Sequence, residues 1–200
     1  MAVSATGDLG LRAGDALIVV DLQNDFLPGG SLAVPHGDEV VQVLAECVRR
    51  FLARGLPVFA TRDWHPVDHC SFRAQGGPWP PHCVAGTAGA EFARDLGLPP
   101  AVDIVSKATE RDREAYSAFA GTDLAQRLRR AGCTRLFVGG LATEYCVLST
   151  VRDAIGEGLA VVVLLDAVRA VNVQADDGVR ALAHISELGA RMAAFEELPE

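Results

Sequence analysis

Lysine is almost absent from this 200-residue chain: of its eighteen lysines and arginines only Lys107 is a lysine. A lone ammonium in an arginine background suggests a position that a guanidinium cannot fill, one needing a compact donor with a tunable pKa, although a leftover surface lysine gives the same count. Basic surface is also scarce, with a net charge of -8, which offers no footprint for nucleic acid or an anionic membrane. The longest apolar run, residues 159–165, is too short to cross a bilayer, and residues 1–15 lack the charged start, apolar middle and cleavage site of a signal peptide. These absences predict a cytoplasmic protein. No Gly-x-Gly-x-x-Gly and no Walker loop occurs, which argues against dinucleotide or nucleotide phosphate binding. No repeat, low-complexity tract or linker divides the chain, so residues 1–200 read as one domain able to bury a full core. Five cysteines are an odd number in a chain too large to need staples, and read as reduced thiols.

What is present is an alternation. Apolar, β-branched runs at 16–20, 57–60, 102–105, 135–138, 159–165 and 191–195 read as buried parallel strands. Between them lie helical faces: Val40, Val41, Leu44, Val48, Phe51 and Leu52; Leu124 and Leu128; Val147, Val151 and Ile155; Val179, Leu182 and Ala183. Thr122 suits a helix start, and Gly55, Gly132 and Gly158 suit helix stops. The pattern predicts an α/β fold: a doubly wound, mainly parallel six-stranded sheet with helices on both faces. Residues 62–100 break the rhythm, being long and rich in proline and glycine, and loops of that length are usually functional.

Ligands of such sheets bind outside the carboxyl ends of the strands. Directly after the apolar runs stand Asp21, Asp63, Lys107 and, beyond a glycine turn, Cys146. Cys146 falls in the first turn of a helix, where free N–H groups and the helix dipole favour a thiolate; cysteine is also a common core filler, the reading that suits Cys47. No histidine follows the strands that carry Asp21, Lys107 and Cys146, so Asp21 is the candidate base and Lys107 the charge that tolerates both anions. Asp21 could instead be a turn cap. Asp63 and His65 point the same way if the chain is extended, and His69 and His82 follow within eighteen positions. This donor set suits zinc, iron or manganese, while His36 and His184 read as ordinary surface residues.

Jointly these blocks resemble a known family. Asp21-Leu22-Gln23-Asn24-Asp25-Phe26 with Gly29-Gly30-Ser31-Leu32, Asp63-Trp64-His65-Pro66, Trp79-Pro80-Pro81-His82-Cys83, Tyr116-Ser117-Ala118-Phe119 and Gly139 through Cys146 are similar to the nicotinamidase/pyrazinamidase family of isochorismatase-like cysteine hydrolases. The resemblance implies a catalytic triad of Asp21, Lys107 and Cys146. It implies metal ligation by Asp63, His65 and His82, with His69 an added ligand in some members only. It implies a pyridine pocket walled by Phe26 and Trp79, with Tyr116 and Ala142 as further substrate contacts. An oxyanion hole made by the N–H groups of Ala142 and Cys146 is expected, together with a cis peptide at Leu141–Ala142. Departures are Ala108 for the usual glycine, and Glu114 and Glu144 for the usual aspartates.

The implied activity is hydrolysis of nicotinamide, and of pyrazinamide, through a cysteine thioester, with one divalent ion, zinc first. Three other readings remain at this stage. They are a metallohydrolase with Cys146 idle, a relative acting on a vinyl ether or carbamoyl amide, and a non-enzymatic metal-binding protein. The metal, the oligomeric state (a homo-oligomer included) and the preference among pyridine carboxamides are open.

Overall fold

A computed structural model describes residues 9–199. Most of the stretch read as lacking a signal peptide, residues 1–8, lies outside them. Six parallel strands form one sheet: β1 Asp15–Val20, β2 Val58–Asp63, β3 Asp103–Lys107, β4 Arg135–Leu141, β5 Ala160–Arg169 and β6 Arg191–Ala193. Their spatial order is β3-β2-β1-β4-β5-β6, the doubly wound arrangement expected from the alternation. The predicted runs fall on these strands, but β5 runs on to Arg169 and β6 stops at Ala193, where the chain turns into a 3-10 helix at Phe195–Glu197.

The helices are α1 Glu39–Ala53, α2 Leu124–Arg130, α3 Leu148–Gly156 and α4 Asp177–Glu187. Alternation along β1 splits the core in two: Leu17 and Val19 pack with α1, while Ala16, Ile18 and Val20 pack with α2 and α3. Right-handed crossovers explain the split, because β1 to β2 moves one way along the sheet and β4 to β5 the other. Gly55, Gly132 and Gly158 follow their helices at φ 67, 69 and 82, as helix stops should. The Thr122 hydroxyl accepts the Leu124 N–H at 3.2 Å at the start of α2.

One helical face differs from its expectation. In α4 the buried residues are Gly178, Ala181 and Ile185, whereas Val179 is 66% exposed and Ala183 is exposed. Alanine and glycine let this short helix sit close to the turn at residues 143–147 and to α3, so the small residues are its inner side. Among the described residues no helix is long and apolar enough to cross a membrane.

Between β1 and β4 the connections leave in opposite directions, which opens a crevice at the carboxyl ends of these strands. Gly140 permits their close approach: its φ is 135, and a Cβ there would collide with the Val20 backbone.

Candidate active site

Four strands adjacent in space each bring one group to this crevice. Asp21 follows β1 at φ 48, Asp63 ends β2, Lys107 ends β3 in register with Asp63, and Cys146 follows β4. The Asp21 Oδ1 accepts a hydrogen bond from the Thr61 hydroxyl at 2.6 Å, and the Asp21 N–H donates to the Thr61 carbonyl at 3.1 Å. Lys107, 1% exposed, donates to Asp63 Oδ1 at 2.5 Å, the Ala115 carbonyl at 3.1 Å and Cys146 Sγ at 3.4 Å. Its Nζ also lies 2.9 Å from Asp21 Oδ2. Three N–H bonds thus face four acceptors, and Asp21 Oδ2 is left without an aligned hydrogen bond. Ligand-type atoms of Asp21, Asp63 and Cys146 all lie within 4.8 Å of one another.

Burial dominates the electrostatics. It raises the Asp21 pKa, with Lys107 opposing and Asp63 adding to the rise. It pushes the Cys146 thiol well above its ordinary range, with Lys107 again opposing. For Lys107 burial works against the charge, but Asp21 and Asp63 outweigh it and hold the ammonium well above its usual pKa. Cys146 therefore rests as a thiol beside a permanent cation and a carboxylate able to hold a proton. The expected need for a base and a cation beside the thiol matches this balance, since burial opposes the thiolate and Lys107 favours it. The turn carrying Cys146 is not an ordinary first turn but a π-turn, Thr143–Val147, leading into α3, a form common at functional sites.

Beside this group Asp63, His65 and His82 bring one ligand atom each within 4.8 Å of one another, all buried. His65 Nδ1–H donates to the His82 carbonyl at 2.9 Å and His82 Nδ1–H to the Pro80 carbonyl at 2.8 Å. Both Nε2 lone pairs are thereby turned to the cluster. Desolvation pushes the His65 pKa down to about 3, so the ring is neutral, and its buried Nε2 has no hydrogen-bond partner. An orphaned imidazole nitrogen facing a carboxylate and a second imidazole fits a divalent metal of borderline softness. His69 is placed differently. Its Nε2–H donates to the Arg113 carbonyl at 3.1 Å and its Nδ1 meets the Ser71 hydroxyl at 2.8 Å. It groups with His65 and Glu114, not with the Asp63 cluster.

Over both sets lies a pocket with about 350 Å³ of open space, walled by Phe26, Trp79, Tyr116, Ala142, Tyr145 and Val171, with Cys146, Asp63 and His82 also lining it. The Trp79 indole N–H donates to the Tyr116 hydroxyl at 2.9 Å, and Trp79 meets Tyr145 edge-on with ring centroids 5.1 Å apart. The Leu141–Ala142 peptide is cis, as the resemblance implied. The Ala142 N–H donates no hydrogen bond among the described residues.

The Isochorismatase domain pattern matches residues 15–197, nearly the whole chain. The protein belongs to the isochorismatase family. Within this family it is 38% identical to a nicotinamidase of Escherichia coli, over 88% of this chain and 93% of that protein. A pyrazinamidase of Pyrococcus horikoshii, solved in complex with zinc, superposes with a TM-score of 0.87 at 49% identity, covering 90% of this chain and 99% of that one. PnC1 from L. infantum, solved with nicotinate, gives a TM-score of 0.86 at 35% identity, covering 94% and 96%.

Sequence reasoning missed four residues that the isochorismatase fold brings to the site. Thr61 anchors Asp21. Gln23, wholly buried, clamps Asp63 by donating to its carbonyl and accepting its N–H, both at 2.8 Å, and donates to the Ala90 carbonyl at 2.9 Å. Asp25 accepts the Cys83 N–H at 2.7 Å, next to His82. Tyr145 lines the pocket. Gln23 and Asp25 were visible only as members of the block that carries the family resemblance, with no role, because their partners lie about 40 or more positions away. Ala108 has φ 51, which explains why glycine is usual after the lysine.

Proposed function

We propose that the protein hydrolyses nicotinamide to nicotinate and ammonia, and pyrazinamide likewise, with Cys146 as nucleophile. The observation that carries this reading is the burial of Cys146 Sγ against Lys107 and Asp21 on the floor of an aromatic pocket that also exposes the Asp63 and His82 donors. The nicotinamidase and pyrazinamidase names of its relatives support the same substrate class.

Asp21, through Oδ2, takes the Cys146 proton as Sγ attacks the carboxamide carbon, and Lys107 offsets the charge on whichever anion is present. The carbonyl electrons move to oxygen, where the N–H groups of Ala142 and Cys146 receive the oxyanion. As the tetrahedral adduct collapses, the C–N bond breaks and Asp21 returns its proton to the departing ammonia, leaving an acyl thioester on Cys146. Asp21 then takes a proton from water attacking the thioester, nicotinate leaves, and the thiol is restored. Asp63, His65 and His82 would hold one divalent ion, zinc first, which would supply a Lewis acid to orient the pyridine ring. Phe26 and Trp79 flank the ring and exclude water. The five free thiols support the reducing cytoplasm as its place of work.

Ammonia release from nicotinamide by the purified protein is the test. The Cys146→Ala variant should lose activity while keeping its fold, because the change removes a single sulfur atom from a side chain that lines the pocket. Cys47→Ala should keep activity and lose roughly 1 to 2 kcal/mol of stability. Equal residual activity in the two variants would sink the nucleophile assignment.

A further inference from the structure

Outside the pocket lies a second, wider space that nicotinamide leaves unused. It is an open groove of about 1210 Å³, solvent included, and shares Leu32, Trp79, Tyr116, Tyr145 and Val171 with the inner pocket, so the two adjoin at the Trp79–Tyr116–Tyr145 aromatic group. Its remaining wall includes Pro78, Pro80 and Val173, and Val173 is an apolar side chain left 61% exposed. Among the described residues Arg73 is the only charged one lining this vestibule, in a chain whose net charge is -8. The Arg73 N–H bonds the Trp79 carbonyl, which ties its backbone to the gate. Its guanidinium has no ion-pair or hydrogen-bond partner among the described residues.

Ring chemistry says which substituent would enter. A pyridine-3-carboxamide with its nitrogen turned to Asp63, His65 and His82 and its carboxamide to Cys146 has carbon 2 between those two anchored edges. Carbon 5 then stands on the opposite edge, facing away from both.

We propose that the vestibule is a specificity subsite for pyridine-3-carboxamides substituted at carbon 5, taking a short apolar chain against Val171 and Val173 and an anionic terminus at Arg73. The inference rests on the amidohydrolase reading. A chain of a few methylenes would bury apolar surface on the exposed valine, and a terminal carboxylate would meet a cation with no competing acid. Specificity here comes from KM, because the substituent lies on the far side of the ring from Cys146.

The experiment measures ammonia release from nicotinamide and from two nicotinamides carrying a propyl-length chain at carbon 5, one ending in a carboxylate and one in its neutral methyl ester. Wild type and Arg73→Ala are compared. Wild type should turn over both substituted amides, with the lower KM for the carboxylate. Arg73→Ala should raise KM for the carboxylate about three- to fivefold, the span of an exposed ion pair. It should leave kcat, the ester and nicotinamide itself unchanged, the last showing that the variant is folded. Turnover of nicotinamide without turnover of either substituted amide overturns the subsite, as does an Arg73→Ala variant that treats carboxylate and ester as wild type does. Failure of wild type on nicotinamide would instead remove the amidohydrolase reading on which the subsite stands.

Discussion

Lys107 shows what a single residue can reveal before any fold is known. Its solitude among arginines pointed to a place for a small ammonium, and the structure puts Nζ between two carboxylates, a carbonyl and a thiol with 1% of the residue exposed. A guanidinium is planar and larger, and its fork cannot meet four acceptors arranged around one point. Lys107→Arg should therefore displace Asp21 or Cys146 and lose most of the ammonia-releasing activity; wild-type turnover in that variant would return the lysine to coincidence. His82→Ala should weaken both metal content and nicotinamide binding, read by metal analysis and by KM, because it removes one of three clustered donors. The residues that escaped the sequence reading are those whose work is to hold others. Gln23 satisfies both backbone groups of Asp63, yet nothing in an isolated glutamine tells which distant strand end it will brace.

Strands were legible because burial on both faces writes them as continuous apolar runs, and helices α1 and α2 because their apolar positions repeat every three to four residues. The reading failed at α4, where Ala181 and Ile185 are buried and Val179 faces out: hydrophobicity ranks valine above alanine, while close packing prefers the smaller residue. It also failed at the turn carrying Cys146, since the extra residue of a π-turn leaves no mark in composition. At the other end of the sheet, Asp15 and Arg135 are paired across β1 and β4 and joined by two hydrogen bonds of 2.7 Å each. Asp15 is 1% and Arg135 8% exposed, so each is the other's countercharge, with the Arg12 N–H also donating to Asp15 and the Gly10 carbonyl accepting from Arg135. Arg135→Ala should cost about 3 to 5 kcal/mol by leaving a buried carboxylate uncompensated. Replacing both residues with apolar ones of similar volume should cost far less. Urea unfolding of the single and double variants measures the difference, and equal losses would show that the pair contributes packing rather than charge.

For the whole molecule, the sheet and the segment joining β2 to β3 have different sources of order. The sheet is held by two apolar layers, whereas residues 64–102 contain only short 3-10 turns; they dock by scattered apolar residues such as Ala93 and Leu96 in the layer of α1 and by polar links such as Gln23 to Ala90 and Asp25 to Cys83. The sequence showed that segment as a break in rhythm and could not show its path, because a loop docked by scattered apolar residues and side chain to backbone bonds has no period to read. Two of the three clustered metal donors, His65 and His82, sit in it and the third, Asp63, ends β2. An ion bound there ties the segment to the sheet, and its binding free energy adds to folding. At a free metal concentration of about 100 times Kd the gain is roughly 2.7 kcal/mol, or about 5 to 10 °C in Tm for a domain of this size. Chelation should lower Tm by that amount, zinc should restore it in proportion to the logarithm of its concentration, and hydrogen exchange should rise in residues 64–102 while β1 and β4 stay protected. A Tm indifferent to chelator, or exchange rising equally in the sheet, would mean that Gln23 and Asp25 hold the segment without help from the ion.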